Sequence, residues 1–257
     1  MLATIQHQGK IVKVDLNEPI DISLPLRAGK ENANAWYVDE VKMEPVISEY
    51  FIGDVNKGGS VNFRNITFNP HGNGTHTECV GHISKENYII NNELKKFFFI
   101  ARIVSISPEK KSDGDQVITL EQIKEYSLQC SQTHLQAEAI IIRTLPNETE
   151  KKIRHYSNTN PPYVESEVMH YLTKNGINHL LIDLPSIDRE FDEGKLSSHH
   201  AFWEYPENTQ AHRTITELVY IPESVKDGFY FMNLQIASFE NDAAPSKPVL
   251  FRMDPTS

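Results

Sequence analysis

The sequence predicts an α/β protein, and three observations carry that expectation. Apolar runs of about strand length recur along the chain, at residues 97–104, 139–142 and 179–184. Val164, Val168, Tyr171 and Leu172 recur at helical spacing, with Gly176 as a stop signal and a strand-like run directly after it. That helix–glycine–strand order is how an α/β chain is written.

Taken in order, Lys10-Ile11-Val12-Lys13-Val14-Asp15 predicts a short strand, and Asn17-Glu18-Pro19 a turn. Residues 30–35 are polar and predict a loop, followed by the aromatic pair Trp36-Tyr37. Gly58-Gly59 and Asn65-Ile66-Thr67-Phe68 predict a glycine turn and a strand leading into a histidine-rich segment. Residues 95–106 contain a buried strand. Thr119 and Gln122 form a capping box for a helix beginning at Leu120. Ala139-Ile140-Ile141-Ile142-Arg143-Thr144 predicts a second buried strand, His179-Leu180-Leu181-Ile182-Asp183-Leu184 a third, and residues 229–236 a late one. No internal repeat and no long linker interrupts this pattern, so residues 1–257 are expected to form one domain.

Composition narrows the function classes. Hydrophobic residues make up 39% and charged residues 23%, as in an ordinary globular protein. A formal charge of -10 without a basic stripe argues against a nucleic-acid partner. The longest apolar run, residues 97–101, is far too short to span a bilayer, so no membrane partner is expected. The first ten residues hold no apolar core of a secretory signal, which makes a cytoplasmic location the expectation. The two cysteines, Cys79 and Cys130, are then expected to be reduced.

The chemistry concentrates between Asn69 and His82. His71, His76, His82 and Glu78 fall within a dozen residues, separated by glycine-flanked turns and hardly any bulky apolar residue. Imidazole and carboxylate together suit zinc, manganese or iron. Gly72 and Gly74 let the backbone turn sharply. In an extended stretch His76 and Glu78 share a face, and His82 can return to it. The bland alternative is a solvated histidine loop. Cys79, inside the cluster, is either a thiolate ligand or nucleophile, or a small buried filler.

Gly74-Thr75-His76-Thr77-Glu78-Cys79-Val80-Gly81-His82 resembles the Gly-Thr-His-x-Asp-x-x-x-His signature of the cyclase family, which includes bacterial kynurenine formamidases and isatin hydrolases. Further segments resemble the family from about Asp21 to Phe251: Asp21-Ile22-Ser23-Leu24-Pro25-Leu26, Arg143-Thr144, Asp183 with Ser186 and Asp188, and Asp242 with Pro245. The resemblance implies a single-domain cyclase-like fold of the swivelling β/β/α type with a mixed central sheet. It also implies a metal-dependent hydrolase of a small aromatic or heterocyclic amide (a formamide, lactam or cyclic imide). Kynurenine formamidase-like activity, N-formylkynurenine to kynurenine and formate, is the first expectation. An isatin-type lactam hydrolase is the alternative, and a metal-poor, non-catalytic homologue that binds an aromatic metabolite is the rival class.

By resemblance, His76 and Glu78 are metal ligands, His199 in Ser197-Ser198-His199-His200 is a ligand to a second metal, and Glu217 bridges the two. His200 is the weaker choice, since neighbours on an extended chain point apart. Without the family, His199 reads as a surface-loop histidine and Glu217 as a solvated glutamate at a helix start. His82 takes the place of the family's general acid–base, and Trp36 that of a substrate-pocket tryptophan, or else it anchors a loop. The implied cofactor is zinc or manganese, one or two per chain, in a homodimer or homotetramer.

Two departures qualify this. The family aspartate is Glu78 here, and a family ligand histidine falls on Gly72. His71, water or Asn73 is left to fill that place, and His71 is the residue expected to do so if the loop kinks.

Overall fold

A computed structural model describes residues 1–129 and 135–255 of the chain. Cys130 lies outside the described residues, and with it the expectation for the cysteine pair. The principal strands are β1 (Leu2–His7), β2 (Lys10–Asp15), β3 (His76–Glu78), β4 (Phe98–Ile106), β5 (Ala139–Thr144), β6 (His179–Ile182), β7 (Thr214–Glu217), β8 (Gly228–Ile236) and β9 (Ala243–Pro255). The principal helices are α1 (Leu120–Gln129), α2 (Ser166–Lys174) and α3 (Ser197–Trp203).

The sheet is mixed, as the family resemblance implies. β4, β5, β6 and β7 run parallel, and α1, α2 and α3 fall in the three connections between them. Parallel neighbours need such crossovers. The remaining contacts, β7 with β3, β3 with β9, β9 with β8 and β8 with β4, are antiparallel. Those seven strands close into a barrel-like ring. The β1–β2 hairpin extends the sheet by pairing with the end of β9.

Period-two alternation explains the continuous apolar runs. Ile140, Ile142, Leu180, Ile182 and Ile215 pack with Val168, Met169 and Leu172 of α2 and Phe202 and Trp203 of α3. The alternate residues, Ala139, Ile141 and Leu181, pack instead with Phe99, Ile103, Met232 and Leu250. A strand covered on both faces carries no polar side, which is why these strands read as unbroken hydrophobic segments.

Local signals mostly hold. The Gln122 side chain accepts from Thr119 N–H at 3.1 Å, and Thr119 Oγ1 lies 3.5 Å from Gln122 N, completing the capping box. Gly176 takes φ +82° just beyond α2. Three expectations change. Val164 belongs to a short strand, Tyr163–Val164, ahead of α2 rather than to the helix. Residues 197–203 form a helix rather than an extended loop. Glu217 ends a fully buried strand instead of opening a helix. Both of the last two follow from long-range pairing and packing that local propensity does not record.

Residues 42–67 leave the core as an arm. Lys42–Pro45 pairs with Arg64–Thr67, and Ile47–Ser48 with Phe51–Ile52. Ile47, Tyr50, Val61, Phe63 and Ile66 on it are exposed. Among the described residues no helix is long and apolar enough to cross a membrane.

A buried ion pair joins the C-terminal ends of two central strands. Lys151 Nζ lies 2.9 Å from Asp183 Oδ2 and donates to Thr144 O at 2.6 Å. Burial raises the Asp183 pKa, against the pull of Lys151 and the Thr144 N–H. Asp183→Ala would strand the Lys151 ammonium in the interior, at a cost of about 3–5 kcal/mol. Urea unfolding at neutral pH measures this, and a loss below about 1 kcal/mol would contradict it.

Candidate metal centre

The loop before β3 is kinked by its own hydrogen bonds. Asn69 Oδ1 accepts from His71 N–H at 2.9 Å and from Gly72 N–H at 3.1 Å. Asn73 N–H returns to Asn69 O at 3.1 Å. Gly72 is required here: a Cβ would stand 2.5 Å from Val38 Cγ2 and 2.9 Å from Ala35 O. No side chain fits at that position, so no histidine does. The kink instead turns His71 inward, its Nδ1 3.0 Å from Glu78 Oε2. Asn73 is drawn away, since its Oδ1 accepts from Asn69 N–H at 2.7 Å and its Nδ2 donates to Asp39 O at 3.2 Å.

β3 then presents His76 and Glu78 on one face, both buried. His76 Nδ1 lies 3.0 Å from Gly74 O, which makes it the donor to that carbonyl and turns Nε2 toward the carboxylates. The β3–β7 register sets Glu217 directly opposite His76. Glu217 Oε1 accepts from Ile187 N–H at 3.1 Å, and its Oε2 lies 3.5 Å from His76 Nε2. α3 supplies His199, whose Nε2 is 3.1 Å from Glu78 Oε1 and whose Nδ1 is 2.6 Å from Asp188 Oδ2. Asp188 also accepts the N–H groups of Ser198 and His199 at the start of α3. His200, one residue on, turns its Nδ1 to Tyr205 O. His82, in the short turn Val80–His82, is the most open of the group, its side chain 31% exposed, with Nδ1 3.9 Å from Glu78 Oε2.

The structure therefore brings His71, His76, Glu78, His82, His199 and Glu217 to one place. Trp36 is not among them. It is half-buried against Leu24, Ala35, Tyr156, Leu218 and Tyr220, one residue from Ala35, whose N–H donates to Gly72 O. Two carboxylates join the cluster that residue-level reasoning left unassigned, Asp188 and Asp242. Asp242 Oδ2 lies 2.9 Å from His71 Nε2 and 3.5 Å from His82 Nδ1. Both aspartates stand in the segments already noted as family-like, and that was their one signal in the sequence. Cys79 is the buried filler: its side chain packs in the core, and burial pushes its thiol up to about 12.

Burial opposes the charged forms of His71, His199 and Glu78, yet their partners outweigh it. His71 is raised to about 10 by the Asp242 and Glu78 carboxylates. His199 is raised well above its ordinary value by Asp188 and Glu78. Glu78 is held well below the usual carboxylate range by His82, His199 and His71.

Within the centre two buried atoms make no hydrogen bond, His76 Nε2 and Glu78 Oε2, the latter ion-paired with His71 Nδ1 at 3.0 Å. They lie 4.0 Å apart, too far for a hydrogen bond. Ligands of one ion with bonds of about 2.1 Å sit about 3.4 Å apart in a tetrahedron. Donor separations of 3.0 to 4.0 Å across the cluster match that. The donor set, imidazole and carboxylate on opposite sides of a shared gap, fits a divalent metal. Glu78 and Glu217 each direct one oxygen to the His199 side and one to the His76 side.

The Cyclase family model ("Putative cyclase") matches residues 15–189. The chain belongs to that family. A kynurenine formamidase of Bacillus cereus is 25% identical over 237 residues, covering 91% of this chain and 97% of the relative. One from Bacillus cytotoxicus is 24% identical over 196 residues, covering 76% of this chain and 82% of the relative. Among solved structures, isatin hydrolase A from Labrenzia aggregata bound to benzyl benzoate superimposes with a TM-score of 0.67 at 13% identity, covering 91% of this chain and 93% of that one. That last likeness concerns the fold alone.

A metal must displace the proton that His71 holds on Nδ1 up to about pH 10. Zinc affinity should therefore rise with pH, by about tenfold per unit for each proton displaced, and binding at neutral pH should release protons. Chelator competition at several pH values and proton release in weak buffer report this. An affinity constant between about pH 6 and pH 8 would exclude displacement of a histidine proton.

Proposed function

We propose that this chain is a metal-dependent hydrolase of a small amide. A formamide of the N-formylkynurenine type is the first substrate to test. The observation that carries the reading is His76 Nε2, buried without a hydrogen-bond partner 4.0 Å from Glu78 Oε2, inside a cluster of histidines and carboxylates. His71, His76, Glu78, His199 and Glu217 would hold one or two ions, zinc by their imidazoles or manganese by their carboxylates. When bound, a divalent cation polarises an amide carbonyl and makes water a better nucleophile at neutral pH.

The chain's own residues supply the rest. His82 stands at the open rim, where it can pass a proton to the leaving nitrogen. Buried Glu78 and Glu217 keep their orientation through His199 and the Ile187 N–H. Trp36, one residue from the strut between Ala35 and Gly72, offers a flat face to an aromatic amide. The exposed apolar arm, residues 42–67, supports assembly with a second copy. Light scattering that gives a monomer would remove that part of the reading.

The activity test is hydrolysis of N-formylkynurenine by protein loaded with zinc or manganese, with isatin as the competing substrate class. Isatin hydrolysis alone would move the substrate to a lactam, and turnover of neither would sink the amide reading. Metal content below about a tenth of an equivalent, without recovery on adding metal, would favour a non-catalytic binding protein.

Two variants separate the roles. His76→Ala should lower metal affinity at least about tenfold and abolish turnover. His82→Ala should keep its metal and lose about 10²–10⁴-fold in rate. Metal loss in the second variant would place His82 among the ligands instead.

A further inference from the structure

Three histidines of the centre share one posture. Each turns one ring nitrogen toward the carboxylates and has the other held by an oxygen. For His76 the oxygen is Gly74 O at 3.0 Å, and for His199 it is Asp188 Oδ2 at 2.6 Å. For His71 it is Asp242 Oδ2, 2.9 Å from Nε2.

His71 has particular need of such a hold. It enters from one residue before the position where no side chain fits, so it reaches the site across a kink rather than along a strand. Its ring is partly exposed, and it stacks on that of His82 with centroids 4.3 Å apart. Asp242, in contrast, is firmly placed. Its carbonyl accepts from Cys79 N–H at 3.0 Å, and its neighbour Ala243 pairs with Glu78. Gly81 leaves room for it, since a Cβ there would stand 3.1 Å from Asp242 Cβ.

We propose that Asp242 is the positioning residue for His71: its carboxylate keeps the proton on Nε2 and presents Nδ1 to the metal beside Glu78. An ionised carboxylate can only accept, so the nitrogen facing it is the donor. The other nitrogen is then free to lose its proton to an incoming ion. This inference rests on the metal-binding reading above, and it concerns the ligand that this chain takes from an unexpected place.

The test is zinc affinity of the full chain by chelator competition, in the wild type, Asp242→Ala, His71→Ala and the double variant. Asp242→Ala should bind zinc about 10–100-fold more weakly at unchanged stoichiometry. If Asp242 acts through His71, the double variant should bind no more weakly than His71→Ala alone. A ring-nitrogen NMR spectrum of the zinc-loaded wild type should show His71 protonated at Nε2, and Asp242→Ala should lose that signature while circular dichroism stays unchanged. Wild-type affinity in Asp242→Ala would overturn the proposal, as would additive losses in the double variant, which would make Asp242 an independent ligand. A wild type that binds no zinc at all would instead sink the metal reading itself, and this inference with it.

Discussion

Glu78 is a carboxylate with no exposure to water, and the arrangement around it follows from that one constraint. An ion taken out of water costs several kcal/mol even after relaxation, unless opposite charge and hydrogen bonds compensate. Here the compensation comes from His71 at 3.0 Å and His199 at 3.1 Å, with His76 and His82 close behind. Without an ion, His71 and His199 carry protons and the site is a network of ion pairs. A divalent ion held there would take over the positive charge, and those protons would have to leave.

The barrel-like ring is what makes this meeting possible. β3 is only three residues long, yet it pairs with β7 on one side and β9 on the other. The first pairing sets Glu217 opposite His76. The second brings Asp242, just before β9, beside His71 and His82. α3 completes the set, because Asp188 receives its first N–H groups and fixes His199 at the same time. Carboxylates placed at a helix start are favoured by the dipole there, so one residue serves the fold and the centre together.

Backbone geometry before β3 decides which residue of the loop faces Glu78. Gly72 lies against Val38 and Ala35, which removes the room for a ligand at that position. The Asn69 side chain gathers two N–H groups and bends the loop, and His71 comes round to face Glu78. A residue one step out of register on a straight strand would face away. The bend rescues it, and Asp242 gives the displaced ring an oxygen to rest against.

Much of this was legible in the chain itself. Strands β4, β5, β6 and β8 were written as apolar runs because both faces are covered. Helix α1 announced itself through Thr119 and Gln122, and α2 through its spacing and Gly176. The crowding of His71, His76, Glu78 and His82 within a dozen residues marked the centre, since local spacing alone puts those side chains within reach. What the sequence left open were the contacts made by distant segments. That Glu217 ends a strand, that His199 sits on a helix, and that Asp188 and Asp242 brace two histidines depend on pairings across more than a hundred residues in three of these four cases. Nothing in the local sequence encodes those pairings. The chain's own pattern determined which residue types gather and which strands are buried; the closure of the ring decided which nitrogen meets which oxygen, because only packing across the barrel sets distances between residues so far apart along the backbone.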